Sequence, residues 1–578
     1  MKRTRSPQHR PASSRGKRRI LAATLAAVLV VSACSSPDRD ADEALFDDRA
    51  EDASGGDESS DSEESFAPAP TASNDAEDLG GVDEDASSDP MEESSDDLVE
   101  GESARDGGLF APEVDEPSSI DENNTFENYG YRSFVAAADD PLSTFALDVD
   151  TGSWTIARGW LDQGQLPPID SVRPEEWVNA FDYDYDAPRS GLDVQVDGAP
   201  SPFDDDNVLV RIGVQAEIVD AADRPDASLV FVVDTSGSMD RNDRLGLVKD
   251  SLEVLVEELG DGDTVAIVTY DNRSGIVLEP TPATERDAIL DAIDDLRPGG
   301  STNLEAGLEL GYDLAAEMFV PDGINRVVLA SDGVANVGTT EVDALAAMIR
   351  DDADEGINLV TVGFGMGNYN DVTMEQLADQ GDGFYAYVDS FAEAERLFAD
   401  ELTSTLLTVA RDAKIQVEFD ADVVEAYRLI GFENRGVLDR DFRNDDVDAG
   451  ELGAGHQVTA LYEIELARGA SLDDRDDLGE VFLRWEDPTS GSINEIRDGI
   501  DPRDLTGSWG ATADDMKLAT LVATFAEVSR DNDYAADVEL DDLAVEIERL
   551  ADDLDRRDPN HDAVEQLLDL VETAARLS

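Results

Sequence analysis

Ser228-Leu-Val-Phe-Val-Val-Asp-Thr-Ser-Gly-Ser238 is the stretch from which the rest of the chain can be read. The apolar run Leu229–Val233 is too short for a helix and does not alternate, which predicts a strand buried on both faces. It runs directly into a carboxylate and two hydroxyls at alternate positions, Asp234, Ser236 and Ser238, on a loop containing Gly237. If that loop curls, the three side chains converge beyond the strand's carboxyl end. Their oxygens are hard ligands, suited to Mg2+, Mn2+ or Ca2+ rather than to zinc.

The flanking sequence repeats the pattern. Strands are predicted at Thr264–Tyr270, Gly275–Leu278 (a short edge strand), Arg326–Ala330, Asn358–Val362 and Phe384–Val388. Helices are predicted at Leu245–Leu259, Arg286–Leu296, Leu304–Met318, Val342–Ile349, Val372–Leu377 and Ala392–Leu406. Apolar strands alternating with amphipathic helices imply an α/β unit over 228–406, a doubly wound, mainly parallel, Rossmann-like sheet covered on both faces. Ligands of such sheets sit outside the carboxyl ends of the strands.

Two more hydroxyl or carboxylate positions follow in chain order, Thr302 in Gly299-Gly-Ser-Thr-Asn303 and Asp332 in Ser331-Asp-Gly333. The set Asp234-x-Ser236-x-Ser238, Thr302 and Asp332 resembles the metal-ion-dependent adhesion site of the von Willebrand factor type A (VWA) family. That resemblance implies that Ser236, Ser238 and Thr302 offer oxygens to one ion, with Asp234 and Asp332 binding it directly or through water. It also implies an open coordination position for a partner's Asp or Glu. Few direct carboxylates would leave the ion residual positive charge, able to attract an anion that the surrounding protein repels.

The resemblance extends to both flanks. Pro141-Leu-Ser-Thr-Phe-Ala-Leu-Asp-Val-Asp-Thr151, Gln165-Leu-Pro-Pro168 and Phe181-Asp-Tyr-Asp-Tyr185 are similar to the N-terminal segment of YfbK-like bacterial lipoproteins. Tyr427-Arg-Leu-Ile-Gly-Phe-Glu-Asn434, Asp448-Ala-Gly-Glu451 and Gly453-Ala-Gly-His-Gln-Val-Thr-Ala-Leu-Tyr-Glu463 are similar to that family's C-terminal region. The match covers about 126–578; the acidic stretch before it is not carried over from the family.

Composition narrows the chemistry. The 578 residues exceed one core at about 100–200 residues per domain and point to several folded units. Asp and Glu outnumber Lys and Arg 134 to 43, a net charge of −91, which argues against nucleic acid as a partner. Basic residues from Lys2 to Arg19, the apolar run Ile20–Val31 and Val31-Ser-Ala-Cys34 read as a lipoprotein signal peptide over 1–33 with Cys34 as the lipidated residue. Arg18-Arg19 leaves Sec and twin-arginine export both open. The expected location is extracytoplasmic, anchored to the cell membrane through that lipid. Cys34 is the only cysteine, and His456 and His561 are the only histidines after it, so thiol, multi-histidine and Ser-His-Asp chemistry have little to work with. Residues 34–125, rich in Asp, Glu and Ser, read as a disordered acidic linker.

Residues 126–190 form an aromatic-rich segment, with helices expected at Ser153–Gln163 and at Arg173–Phe181, the latter opened by Pro174; it is expected to pack on a neighbour. Residues 191–227 read as strands connecting it to the α/β unit. Beyond Leu406 the period becomes two, at Lys414–Phe419, Ala426–Ile430, Gln457–Ile464 and Val481–Trp485, which predicts a small β-sandwich over 407–505. Three helices close the chain within 506–578, near Asp515–Arg530, Leu543–Leu554 and Ala563–Leu577.

Two motifs are decoys. Asp150-Thr-Gly152 and Asp234-Thr-Ser236 look like aspartic-protease loops, but Asp234 belongs to an α/β unit rather than a β-rich bilobal fold. Asp148-Val-Asp-Thr-Gly152 starts like a calcium loop, yet Gly159 stands where the bidentate Glu is needed; a capped turn before the helix is expected. His456 is expected to be a turn or surface residue.

The favoured function is an envelope-anchored, cation-dependent module that captures a protein ligand through Asp or Glu, contributing to adhesion or complex assembly. The alternatives are a metal-dependent hydrolase using the same cation and a purely structural scaffold. An enzyme would need a base and a clamp beside the ion, and Arg241, Arg244 and Arg273 are the nearby basic candidates.

Overall fold

A computed structural model describes residues 126–204, 207–333, 342–365, 371–445, 447–470 and 477–578. Residues 1–33, Cys34 and the linker to residue 125 lie outside them.

The chain first lays down four strands, β1 (Val135–Ala136), β2 (Leu142–Ala146), β3 (Leu192–Pro200) and β4 (Asn207–Ala216). It then builds the α/β unit. This contains β5 (Ala227–Asp234), β6 (Thr264–Tyr270), β7 (Ser274–Pro282), β8 (Ile324–Ser331), β9 (Asn358–Phe364) and β10 (Phe384–Val388) in the order β10-β9-β8-β5-β6-β7. All pairings are parallel except β6 with β7, where the predicted edge strand is longer than Gly275–Leu278.

The unbroken apolar run of β5 is explained by its neighbours. Leu229, Phe231 and Val233 share a core with Val248, Ile289 and Leu397 from helices on one face. Val230 and Val232 share another with Leu308, Leu345 and Leu377 on the opposite face. Every residue of β5 and β8 is buried, as a doubly covered sheet requires. The last predicted helix is interrupted by a π-type turn at Arg396–Asp400, and Leu397, Phe398, Leu402 and Leu406 still reach one core.

The chain then returns to the first four strands. It adds β11 (Thr408–Phe419), β12 (Val424–Ile430), β13 (Gly450–Gly453), β14 (Gln457–Leu466), β15 (Gly479–Asp487) and β16 (Ser492–Gly499). One sheet runs β1-β12-β14-β4-β3; the other runs β13-β11-β15-β16, with β2 also paired to β11. Their inner faces share one core that includes Phe145, Ile212, Ile415, Phe419, Tyr462 and Leu483.

This corrects the expected boundaries. The sandwich is not confined to 407–505, 191–227 is not merely a connection, and 126–190 supplies two of the sandwich strands. The α/β unit is an insertion between β4 and β11. The physical reason lies in β4, which is buried at every position: Val210, Ile212 and Val214 face the sandwich core while Leu209 packs beneath helices. Such a strand belongs to a sheet interior, but periodicity reveals faces and not partners. The edge strand β16 is mostly exposed, so it lacked an apolar signal.

The closing helices Asp514–Ser529, Leu540–Asp553 and His561–Leu577 pack with Gly152–Asp162 and Pro174–Asn179 over the first sheet's outer face. Trp154, Trp177, Phe181 and Phe525 form the aromatic centre of this layer.

The Asp148–Gly152 motif is neither a calcium loop nor the expected side-chain cap, because Thr151 at the helix N-cap makes no side-chain cap bond. Both carboxylates are buried and face Arg435. Gly152 is required by close approach, since a Cβ there would lie 2.3 Å from the Tyr385 ring.

His456 sits in the turn before β14, where Nδ1 accepts the Gly453 amide hydrogen at 3.1 Å and the ring meets Phe384 edge-on. Burial, then Arg396 and Arg326, lower its pKa to about 4. The unfolded chain takes up this proton near pH 6.5, so stability falls as pH drops from there toward 4. Between pH 7 and pH 5 wild type should lose about 2 kcal/mol more than His456→Gln in paired urea titrations.

Candidate functional site

Asp234 ends β5, Tyr270 ends β6 and Ser331 ends β8, so the three meet at the carboxyl edge of adjacent parallel strands. Beyond β5 the chain turns sharply. Asp234 Oδ1 accepts from the Ser236 amide at 2.7 Å, and a short 3-10 turn follows at Gly237–Met239. That turn brings the Ser236 and Ser238 hydroxyls within 2.8 Å of each other. The alternate-position convergence expected from Asp-x-Ser-x-Ser is therefore present.

The loop carrying Thr302 is stitched to this turn. The Gly237 amide donates to Gly300 O at 3.0 Å, and the Gly299 amide donates to Thr235 O at 2.7 Å. Gly300 has φ +92°, a left-handed conformation suited to glycine. Asn303 then caps the helix Leu304–Glu317 through its side chain, which fixes Thr302 on the final residue before the cap. Thr302 is itself buried.

Asp332 follows β8 and is buried with Asp234 and Ser236. Its Oδ2 accepts from Arg244 Nη1 at 2.6 Å. Its Oδ1 is buried and has no hydrogen-bond partner among the described residues. A buried carboxylate oxygen without a donor is costly, and a cation or a cation-bound water relieves it. Burial, reinforced by Asp332, raises the Asp234 pKa to about 6, and burial raises that of Asp332 as well. Arg244 offsets only one of these two carboxylate charges. Together with the hydroxyl pair the carboxylates form the hard-oxygen donor set that Mg2+, Mn2+ or Ca2+ takes, so the residues present fit a divalent ion.

Three neighbours complete the setting. Ser331 Oγ donates to Asp234 Oδ2 at 3.0 Å and accepts from the Gly333 amide at 3.1 Å, fixing both aspartates' loops. Tyr270 is fully buried, and burial together with Asp234 keeps its phenol protonated. Arg244, in the π-type turn Asn242–Gly246, also donates to Ser238 O at 2.9 Å. Of the three basic candidates, Arg244 is the one buried against a site carboxylate, while Arg241 and Arg273 are exposed. Ser331 was visible in the sequence as the residue preceding Asp332, but hydroxyls at strand ends are too common to single it out.

A separate trio, Asp382, Asp448 and Glu451, brings carboxylate oxygens within 4.8 Å of one another. Burial and neighbouring acids raise Asp448 to about 6 and hold Glu451 well above the usual carboxylate range. It lacks the hydroxyl pair and lies in other loops.

Comparison with known proteins places these features in context. Residues 228–400 match the von Willebrand factor type A domain, and residues 404–577 match the family described as uncharacterized protein YfbK, C-terminal. Residues 120–211 match a family described as von Willebrand factor. The uncharacterized protein YfbK of Escherichia coli (strain K12) is 37% identical over 421 residues, covering 69% of this chain and 72% of that protein. An uncharacterized protein of Synechocystis is 27% identical over 302 residues, 50% of this chain and 69% of its own. A solved structure, von Willebrand factor type A from Catenulispora acidiphila, aligns with TM-score 0.39 and 17% identity, over 63% of this chain and 88% of that one.

Proposed function

Because the chain belongs to the YfbK family and carries a von Willebrand factor type A domain at its centre, we propose that it is a divalent-cation-dependent binding module of the cell envelope. VWA domains are protein-interaction modules that commonly hold a metal ion. Here Asp234, Ser236, Ser238, Thr302 and Asp332 hold one ion, Mg2+ or alternatively Mn2+ or Ca2+, and that ion takes an Asp or Glu side chain of a protein ligand. The observation that carries this reading is the buried Asp332 Oδ1, without a donor among the described residues, in the same site as Asp234 and the Ser236–Ser238 hydroxyl pair.

The module acts by capture rather than turnover. Neither histidine nor lysine occurs in the loops 234–238, 299–303 and 331–333, and the guanidinium that reaches the site is already engaged by Asp332. Anchoring is through a lipid on Cys34, a reading supported by Val31-Ser-Ala-Cys34. Among the described residues no helix is long and apolar enough to cross a membrane.

The test pairs a direct cation titration with ligand capture. Wild type should bind Mg2+ saturably and retain envelope proteins that EDTA releases. Asp234→Ala should weaken the ion by roughly a hundredfold, at least the loss typical of an outer-shell partner, and abolish capture. Capture that survives both EDTA and Asp234→Ala removes the adhesion-site reading. Turnover of a phosphate or peptide substrate that depends on Mg2+ would favour the hydrolase.

A further inference from the structure

The donor set alone does not explain why a buried arginine is placed among metal ligands. Arg244 Nη1 holds one oxygen of Asp332 at 2.6 Å and the Ser238 carbonyl at 2.9 Å, and the other Asp332 oxygen has no partner among the described residues. Arg244 is 3% exposed, so its charge is poorly screened. Its position is also built for it. Gly365, just past β9, has φ +75°, and a Cβ there would lie 2.3 Å from Arg244 Cγ. The fold therefore keeps a side-chain-free position beneath the arginine's stem.

We propose that Arg244 is a positioning residue that trades cation affinity for ligand affinity at the adhesion site. This rests on the cation-site reading above and assigns a role within it. Asp234, Asp332 and Arg244 together carry one net negative charge. A divalent ion makes the loaded site net positive by one charge, whereas without Arg244 it would be neutral. In a chain of net charge −91, an acidic ligand approaches against repulsion, and a locally positive site offsets it. The same guanidinium repels the incoming ion, because anything bound to Asp332 Oδ1 lies only a few ångströms away. Arg244 also orients Asp332 so that Oδ1, not Oδ2, faces the ion. The hydrogen bonds serve geometry; the charge sets the trade.

The experiment uses the full chain and two probes, Mn2+ and acetate. Mn2+ affinity is measured by calorimetry, and acetate is titrated onto the Mn2+-loaded protein while water proton relaxation reports its binding. Arg244→Gln should bind Mn2+ roughly tenfold more tightly and acetate several-fold more weakly. Arg244→Lys, which keeps the charge, should stay near wild type in both. Opposite signs are the diagnostic feature, since mere damage to the site weakens both ligands. If Arg244→Gln binds Mn2+ no better than wild type, or loses nothing toward acetate, the trade is wrong while the cation site stands. If wild type binds no Mn2+ that Asp234→Ala abolishes, the cation site and this role fall together.

Discussion

Arg435→Met is expected to destabilise the protein by roughly 3–5 kcal/mol at neutral pH, the scale for removing one partner from a buried ionic cluster. Arg435 follows β12 and meets four carboxylates: Asp148 at 3.0 Å, Asp150 at 3.3 Å, Glu375 at 3.1 Å and Asp379 at 2.9 Å. The first two come from the segment before helix Gly152–Asp162. The other two come from helix Asp371–Gln380 of the VWA domain, so one guanidinium ties three parts of the fold together. Asp150 and Asp379 already sit above the usual carboxylate range, because burial outweighs Arg435. Without the arginine, their pKa values rise further. Carboxyls raised in the folded state contribute stability below the unfolded value near 4 and lose it as pH rises. The deficit of Arg435→Met should therefore be largest at pH 7 and shrink toward pH 4.5. Urea unfolding at several pH values checks both the size and the slope, and a pH-independent deficit would mean simple loss of packing.

The second large effect is Trp177→Ala, expected to cost about 3–5 kcal/mol, typical of a large aromatic truncated in a core. Trp177 is fully buried in helix Pro174–Asn179, its ring 5.4 Å from Trp154 and 5.2 Å from Phe525. Its indole nitrogen donates to Ser153 Oγ at 3.0 Å. Ser153 Oγ in turn donates to Ser171 O and accepts from the Arg173 amide, so the ring holds a polar knot as well as an apolar layer. Trp177→Phe keeps much of the ring volume but drops the donor, and should cost about 1–2 kcal/mol. Limited proteolysis of Trp177→Ala is expected to cut first within 506–578, since Phe525 loses its partner there.

These two residues show what sequence can and cannot convey. Trp177 was readable as part of an aromatic cluster needing a neighbour, but not which neighbour. Arg435 carried no signal, because its partners lie from 56 to 287 positions away and a lone arginine in an acidic chain looks like surface. Asp234, Ser236 and Ser238 were readable because one turn of backbone brings them together. Thr302 and Asp332 were found through family resemblance, and their loops arrive at the same strand ends. Arg244's role depends on a π-type turn and on Gly365, more than a hundred positions on, and no local pattern encodes that meeting. The insertion of the VWA domain escaped for a related reason. Apolar patterning marks β3, β4, β11 and β14 as strands without stating that a whole domain separates the first two from the last two.

That insertion constrains the order in which the protein acquires structure. β4 lies between β3 and β14, and Gln215 meets Gln457 across 242 positions. During synthesis β4 emerges with one edge unpaired and keeps it so until β14 follows. The VWA domain closes over much shorter separations, so it can complete while the sandwich is still open. A nascent chain halted near residue 420 should therefore hold a protected VWA domain beside an exposed, adhesive strand edge. Chaperone demand during biogenesis then falls on β3 and β4, outside the VWA domain.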